Sequence, residues 1–259
     1  MKIATWNVNS IRARTNRVML WVEANLPDVL LLQETKVVDK EFPREPFEKL
    51  GYYIELYGQP AYNGVAIASK LPIENMEAGF PLKGDTEARG IAGTIAGIRI
   101  VNIYVPNGQQ VGTAKFIYKQ HRLDSLFAWL QQRYDPTEQI VVAGDFNIAP
   151  EDRDVHDPAI WHNSAISSDE VRHQLQALID WGLTDSLRAV SDEAGVFTWW
   201  DYQRAAFRFN KGLRIDLMLV TETLRERITS VVINRDDRKV QNGIEKPSDH
   251  IPVLLELRD

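Results

Sequence analysis

The chain has 259 residues, 44% of them hydrophobic and 25% charged, and a formal net charge of −6; a chain of this length buries roughly 70–75% of its unfolded surface without covalent staples. Its lack of cysteine excludes disulfides, thiolate zinc sites and thiol nucleophiles, and its negative balance argues against a sequence-independent nucleic-acid sponge, though not against an enzyme with one basic face. No targeting segment, bilayer-length apolar run, linker or low-complexity tract is visible, so residues 1–259 are expected to form one cytoplasmic, monomeric domain with no membrane partner.

In chain order, short apolar runs predict strands over residues 3–8, 29–32, 65–69 and 98–105. A helix follows, with Phe116, Leu123, Leu126, Phe127 and Leu130 near one face and Asp135-Pro136 ending it. After a strand over 140–143 comes a second helix, striped by Val171, Leu175, Leu178 and Ile179. Its start resembles a capping box, Ser167 with Glu170 three residues on, and Gly182 supplies the stop. Strands over 215–220 and 253–257 complete the pattern. Such mixing predicts a sheet-rich core covered by helices, and the number of strands favours two stacked sheets.

Polar residues interrupt or follow these runs at five places. Asn7 follows residues 2–6 within the first strand, Glu34 follows the second, and Asp145 and Asn147 the fifth; Asp216 sits within the sixth, and Asp249-His250 precede the last. Buried carboxylates are costly unless paired or bound to metal, so five such placements point to one shared site. Taken singly, each has an ordinary reading: an Asp or Asn after a strand is usually a turn or cap residue, Asp216 could pair with Arg214, and a lone histidine is more often a surface or core residue than a catalyst. Asp145 and Asn147 carry more weight, because alternation would place both on one side of an extended segment.

These residues fall within a set of motifs running in order along the chain. They are Trp6-Asn7-Val8-Asn9, Leu32-Gln33-Glu34-Thr35-Lys36, Asn63-Gly64-Val65-Ala66, Asn102-Ile103-Tyr104-Val105-Pro106-Asn107-Gly108, Gly144-Asp145-Phe146-Asn147-Ile148, Gly212-Leu213-Arg214-Ile215-Asp216 and Ser248-Asp249-His250-Ile251-Pro252-Val253. The set resembles that of the exonuclease III family of DNA repair nucleases, with its abasic-endonuclease relatives, within the DNase I-like phosphodiesterases. One such motif says little; seven in order across nearly the whole chain are specific.

The resemblance implies a four-layer α/β sandwich of two packed mixed sheets flanked by helices. It implies a magnesium-dependent phosphodiesterase, manganese being a possible substitute, that acts on double-stranded DNA at abasic sites and at damaged or recessed 3′ ends. Such hydrolysis needs an activated water, charge neutralisation on the phosphate and help for the departing oxygen. By similarity, Glu34 is the principal metal ligand, supported by Asn7. Asp145 acts on the attacking water, which Asn147 orients. His250 contacts the scissile phosphate, Asp249 polarises its imidazole, Tyr104 donates to phosphate or leaving group, and Asp216 steadies the His250 and Tyr104 side. Asp145, Asn147, Asp249 and His250 are also candidates for a second metal position. Substrate contacts fall to Asn107, Arg89 and Lys115, with Lys119, Arg122, Arg208 and Lys211 as further phosphate contacts. In the stretch from Phe197 to Tyr202, Trp199 joins Leu213 and Ile215 to line an apolar pocket for an extrahelical abasic sugar, whereas Trp200 reads equally well as core.

The chain departs from some relatives at Asn9, where they carry a carboxylate, and at Gln109-Gln110, near which they carry an arginine. Two other readings remain open at this point. One is a phosphatase of the same fold acting on a non-DNA phosphoester; the other is a non-catalytic regulator that binds RNA or protein. The complete set of polar site residues argues against the second.

Overall fold

The runs that read as unbroken apolar stretches are strands buried on both faces, which is why they lack the polar alternation of a half-exposed sheet. The computed structural model describes residues 1–80 and 84–258. In chain order its elements begin with β1 (Lys2–Asn7), α1 (Thr15–Asn25), β2 (Val29–Gln33), α2 (Arg44–Lys49), β3 (Tyr53–Tyr57), β4 (Val65–Ser69) and β5 (Glu74–Ala78). There follow β6 (Gly90–Ile95), β7 (Ile98–Tyr104), α3 (Ala114–Arg133), β8 (Ile140–Asp145), α4 (Pro158–Trp161), α5 (Asp169–Trp181) and β9 (Leu183–Asp185). The last are β10 (Trp199–Trp200), β11 (Gly212–Leu213), β12 (Asp216–Thr221), α6 (Glu222–Arg225), β13 (Ile228–Ile233) and β14 (Val253–Leu257).

Two mixed six-stranded sheets form, in the orders β13-β14-β1-β2-β4-β3 and β5-β6-β7-β8-β12-β9. Each has one parallel pair at its centre, β1 with β2 and β7 with β8. Alternate residues of these strands face opposite ways. Ile3, Leu31 and Ile67 meet Ile100, Val141 and Met218 between the sheets. Ala4, Leu30 and Leu32 turn outward onto Val18 and Val22 of α1 and Phe47 of α2. Val142 and Leu219 turn outward onto Phe116, Leu123, Leu126 and Leu130 of α3 and Val171, Leu175 and Leu178 of α5. The four layers expected from the resemblance are present. A buried polar bridge joins the sheets near one end: Gln33 donates to Asn102 Oδ1 at 2.7 Å, and Asn102 donates to the Leu32 and Ala66 carbonyls.

The strands absent from the sequence reading include β5 and β13, at sheet edges, whose residues are mostly half-buried or exposed and so leave no apolar run. The start of α5 also differs from expectation. Ser168 rather than Ser167 is its N-cap, with no side-chain cap bond, because the Ser167 hydroxyl is taken by the Trp161 carbonyl. Gly182 does end the helix, at a φ of 130°.

Candidate active site

Parallel pairing brings the C-terminal ends of β1 and β2, and of β7 and β8, to one end of the sandwich. Asn7 ends β1 and Glu34 follows β2; Tyr104 ends β7 and Asp145 ends β8. Asp216 opens β12, which runs antiparallel to β8 with Asp216 opposite Asp145. His250 precedes β14, antiparallel to β1. Six segments of the chain thereby deliver polar groups to one place. Gly144 makes the approach of β7 and β8 possible: its φ is 143°, and a Cβ there would lie 1.9 Å from the Ile103 carbonyl oxygen.

One ligand atom from each of Glu34, Asp145 and His250 lies within 4.8 Å of the others. Asn7 Nδ2 donates to both Glu34 Oε1 and Asp145 Oδ2 at 2.9 Å, while its Oδ1 accepts the Asn9 amide at 3.0 Å. Asn7 therefore meets the carboxylates through its hydrogens, holding them side by side, and its oxygen is engaged elsewhere. Glu34 sits at a φ of 50°, a left-handed conformation that costs a non-glycine residue about 1–3 kcal/mol and occurs where surrounding structure imposes it. Burial raises the Glu34 pKa, but the Lys36 ammonium, 2.8 Å from its Oε2, and hydrogen bonds from Lys36 and Asn7 hold it below the ordinary value. Lys36 also donates to Asn9 Oδ1 at 2.5 Å. Asn9 thus contacts the site through an amide at the position where some relatives carry a carboxylate.

Asp145 is 1% exposed. Burial is the main cause that lifts its carboxyl to about 7; the His250 charge opposes this, and the negative charges of Asp216 and Glu34 add to it. Asn147 lies beside it through a turn rather than through strand alternation: Asn147 has a φ of 51°, and its amide donates to Asp145 Oδ1 at 2.9 Å. The Asn147 side chain donates to the Val105 carbonyl and accepts from Asn107 Nδ2 at 3.2 Å. Burial, then the charges of Glu34 and Asp145, push the Tyr104 hydroxyl well above the usual phenol range. The Arg89 guanidinium stacks over the Tyr104 ring at 4.6 Å.

The imidazole of His250 is held by Asp216, not by Asp249. His250 Nδ1 lies 2.9 Å from Asp216 Oδ2 and 3.1 Å from Oδ1, and its Nε2 lies 3.8 Å from Asp145 Oδ2. Asp249 points the other way, accepting from Asn9 Nδ2 at 2.9 Å and Trp199 Nε1 at 3.0 Å. The ion pair of Asp216 with Arg214 is also ruled out, because Arg214 is held by Asp154 at 2.6 Å and Asp185 at 2.8 Å. Burial alone would lower the His250 pKa, but the charge of Asp216, followed by that of Asp145, lifts it to about 10. An imidazolium held in this way offers an N–H at Nε2 and no free lone pair. The two carboxylates fit a hard divalent cation, which prefers oxygen donors; His250 fits an anion such as phosphate.

This arrangement sets the pH response of the metal-free protein. The folded His250 value lies above the ordinary 6.5, so its contribution to stability is full below about 6.5 and is lost as pH rises through about 10. In Asp216→Asn the imidazole midpoint, followed by proton NMR with chelator present, is expected to fall by several units. A midpoint unchanged from wild type would show that Asp216 does not set it.

A cavity of about 420 Å³ adjoins these groups and is lined by Glu34, Tyr104, Asp145, Asp249 and His250 on one side and Trp199, Leu213 and Ile215 on the other. Trp199, Leu213 and Ile215 make an apolar wall, and it has a further component. Trp161 and Ile166 pack with Trp199, Leu213 and Ile215, and Trp161 Nε1 donates to His156 Nδ1 at 3.3 Å. Neither residue stands out in the sequence, since the segment around them is polar and without periodicity. Trp200 is core, 1% exposed and packed against Phe197 and Ile251.

The expected basic contacts divide into two groups. Arg89, Lys115 and Asn107 line a neighbouring cavity of about 410 Å³ that shares Tyr104, Asn107 and Gln109 with the first, and Arg208 and Lys211 are exposed on a loop. Lys119 and Arg122 are buried and so cannot reach a phosphate backbone. Arg122 pairs with Asp85, and Lys119 is held by backbone carbonyls, with burial lowering it to about 7 against the pull of Asp145. Both looked available because a helix face rich in Lys and Arg reads as solvated.

Residues 4–250 match the endonuclease/exonuclease/phosphatase family. An exodeoxyribonuclease III from Haemophilus influenzae is 35% identical over 271 residues, covering all of both chains. Among solved structures, an AP endonuclease from Archaeoglobus fulgidus superposes with a TM-score of 0.93 at 36% identity, covering 99% of each chain. A 3′ phosphatase from Neisseria, solved with a product DNA hairpin, superposes with a TM-score of 0.92 at 39% identity, covering 100% of this chain and 99% of its own.

Proposed function

The chain belongs to the endonuclease/exonuclease/phosphatase family, and on that footing we propose that it is a magnesium-dependent DNA repair phosphodiesterase of the exonuclease III type. Its substrate is duplex DNA carrying an abasic site or a damaged or recessed 3′ end. One observation carries this reading: ionised Glu34 and buried Asp145 sit side by side, opposite an imidazolium fixed by Asp216, in a cavity whose other wall is apolar.

Glu34 and Asp145 are the residues that would hold the cation, which when bound neutralises charge on the phosphate and the leaving oxygen. Asp145 takes the proton of the attacking water, a role suited to a carboxyl lifted to about 7. Asn147 fixes the Asp145 carboxylate through its backbone amide. His250 donates from Nε2 to the scissile phosphate, because Asp216 holds Nδ1. Tyr104 keeps its proton and donates to the phosphate or leaving oxygen. Trp199, Leu213 and Ile215 accept the extrahelical sugar, and Asn107, Arg89 and Lys115 contact the strand alongside. The whole described chain works as one domain in this reading.

Cleavage of abasic, recessed 3′-end and 3′-phosphate duplexes, each with magnesium present and chelated, tests the proposal. All activity should require the metal, and chelator-resistant cleavage by the purified protein would sink the mechanism. In the same assay Trp199→Ala should mainly lose the preference for the abasic duplex while the metal-dependent chemistry continues. Equal loss on all three duplexes would mean that Trp199 supports the fold rather than the pocket.

A further inference from the structure

Lys119 is fully buried and has no carboxylate within hydrogen-bonding reach among its described partners. Its ammonium donates to three backbone carbonyls: Asn147 at 2.6 Å, Ala165 at 2.6 Å and Asn107 at 3.3 Å. An ammonium has three hydrogens and no acceptor, so all three are used. The three carbonyls belong to three separate segments, and Asn107, Asn147 and Ala165 all line the 420 Å³ cavity. The stem of the lysine is packed as closely as its head is bonded. A Cβ on Gly108 would stand 3.0 Å from Lys119 Cδ and 3.2 Å from the Ala165 Cβ, and Gly108 has a φ of 87°.

We infer that Lys119 is a positioning residue, which draws the Asn107, Asn147 and Ala165 segments onto α3 and so fixes both the carboxylate end and the pocket end of the site. The link to the chemistry is short. Asn147 sits in a left-handed turn, its amide bonded to Asp145 Oδ1 and its side chain to Asn107 and Val105. Moving the Asn147 carbonyl moves that amide, and with it the carboxylate. Other hydrogen bonds join these segments in pairs, the Ala149 amide to the Ile166 carbonyl at 2.8 Å and the Asn147 side chain to Val105 and Asn107, whereas Lys119 bonds all three through one atom. A burial of this kind is costly for a lysine and is worth its cost when no neutral side chain of similar length can satisfy three converging carbonyls.

The inference rests on the phosphodiesterase reading for its activity arm only. Lys119→Met keeps the length of the stem and removes the donors. Relative to wild type its kcat on abasic duplex should fall by on the order of 10²-fold, the loss expected from displacement of reacting groups by about an ångström, with KM little changed. Hydrogen exchange should quicken together in residues 105–109, 146–149 and 164–167. Val22→Ala, which loosens the outer layer on the opposite sheet, serves as a control for general destabilisation. A kcat within twofold of wild type, a fall matched by Val22→Ala at equal loss of melting temperature, or faster exchange confined to α3 would overturn the inference. If Lys119→Met does not fold, Lys119→Arg and Lys119→Gln decide the point: the Arg variant, which keeps charge and donors, should retain the higher kcat, and equal values would count against it. Because hydrogen exchange needs no substrate, failure of the phosphodiesterase reading in the wild-type protein leaves this test standing.

Discussion

Asp145→Asn is expected to lower turnover on an abasic duplex by on the order of 10⁴-fold, the upper range for loss of a positioned proton acceptor, while DNA binding stays the same or tightens. The physical basis is that Asp145 presents a carboxylate, lifted to about 7 mainly by burial, beside the place where Glu34 and His250 converge. An amide cannot take a proton from water, yet it keeps an oxygen for the Asn147 amide. It also removes a negative charge from a surface that must accept phosphate, and binding responds to that electrostatic term. Stability should change little, since the new amide faces the Asn7 amide, a donor-to-donor contact whose cost of about 1–3 kcal/mol is offset by no longer burying a carboxylate. Single-turnover cleavage and equilibrium binding, measured on the same abasic duplex, separate the two effects. Near-normal cleavage would put the proton acceptor elsewhere.

Glu34→Gln should have the next largest effect. Glu34 is held ionised by Lys36 and Asn7, so it is the carboxylate with its charge already in place near neutral pH. Gln keeps an oxygen for the Asn7 donor but gives up that charge, and Lys36 loses its partner at 2.8 Å. A metal's share of transition-state stabilisation amounts to several kcal/mol, so turnover should fall by on the order of 10³-fold. The magnesium concentration giving half-maximal rate should rise as well. A variant with reduced rate but unchanged magnesium dependence would show that the cation is held without Glu34. The fold should survive, because Glu34 lies after β2 and outside the apolar clusters.

Much of this protein is legible in its sequence. The strands at the centre of each sheet are buried on both faces, so residues 29–32 and 140–143 show as unbroken apolar runs. The stripes on α3 and α5 show at helical spacing, because each helix buries a single face. Polar residues placed after or within those runs mark the site, and their order along the whole chain carries the family resemblance.

What the sequence did not determine is which of these polar groups meet. Asp249 is adjacent to His250 along the chain, yet its carboxylate is taken by Asn9 and Trp199, and the acid that holds the imidazole is Asp216, 34 residues away. Asp145 and Asn147 are neighbours through a left-handed turn that no alternation rule anticipates. Lys119 and Arg122 look solvated on a helix until the segments around Asn107, Asn147, Ala165 and Asp85 close over them. Trp161 joins the apolar wall only because its segment folds back onto β11, where Val155 pairs with Leu213. Each of these facts depends on contacts between segments distant along the chain, and such contacts are fixed when the sheets pair and pack; local pattern records how a segment divides between core and solvent, but not which partner covers it.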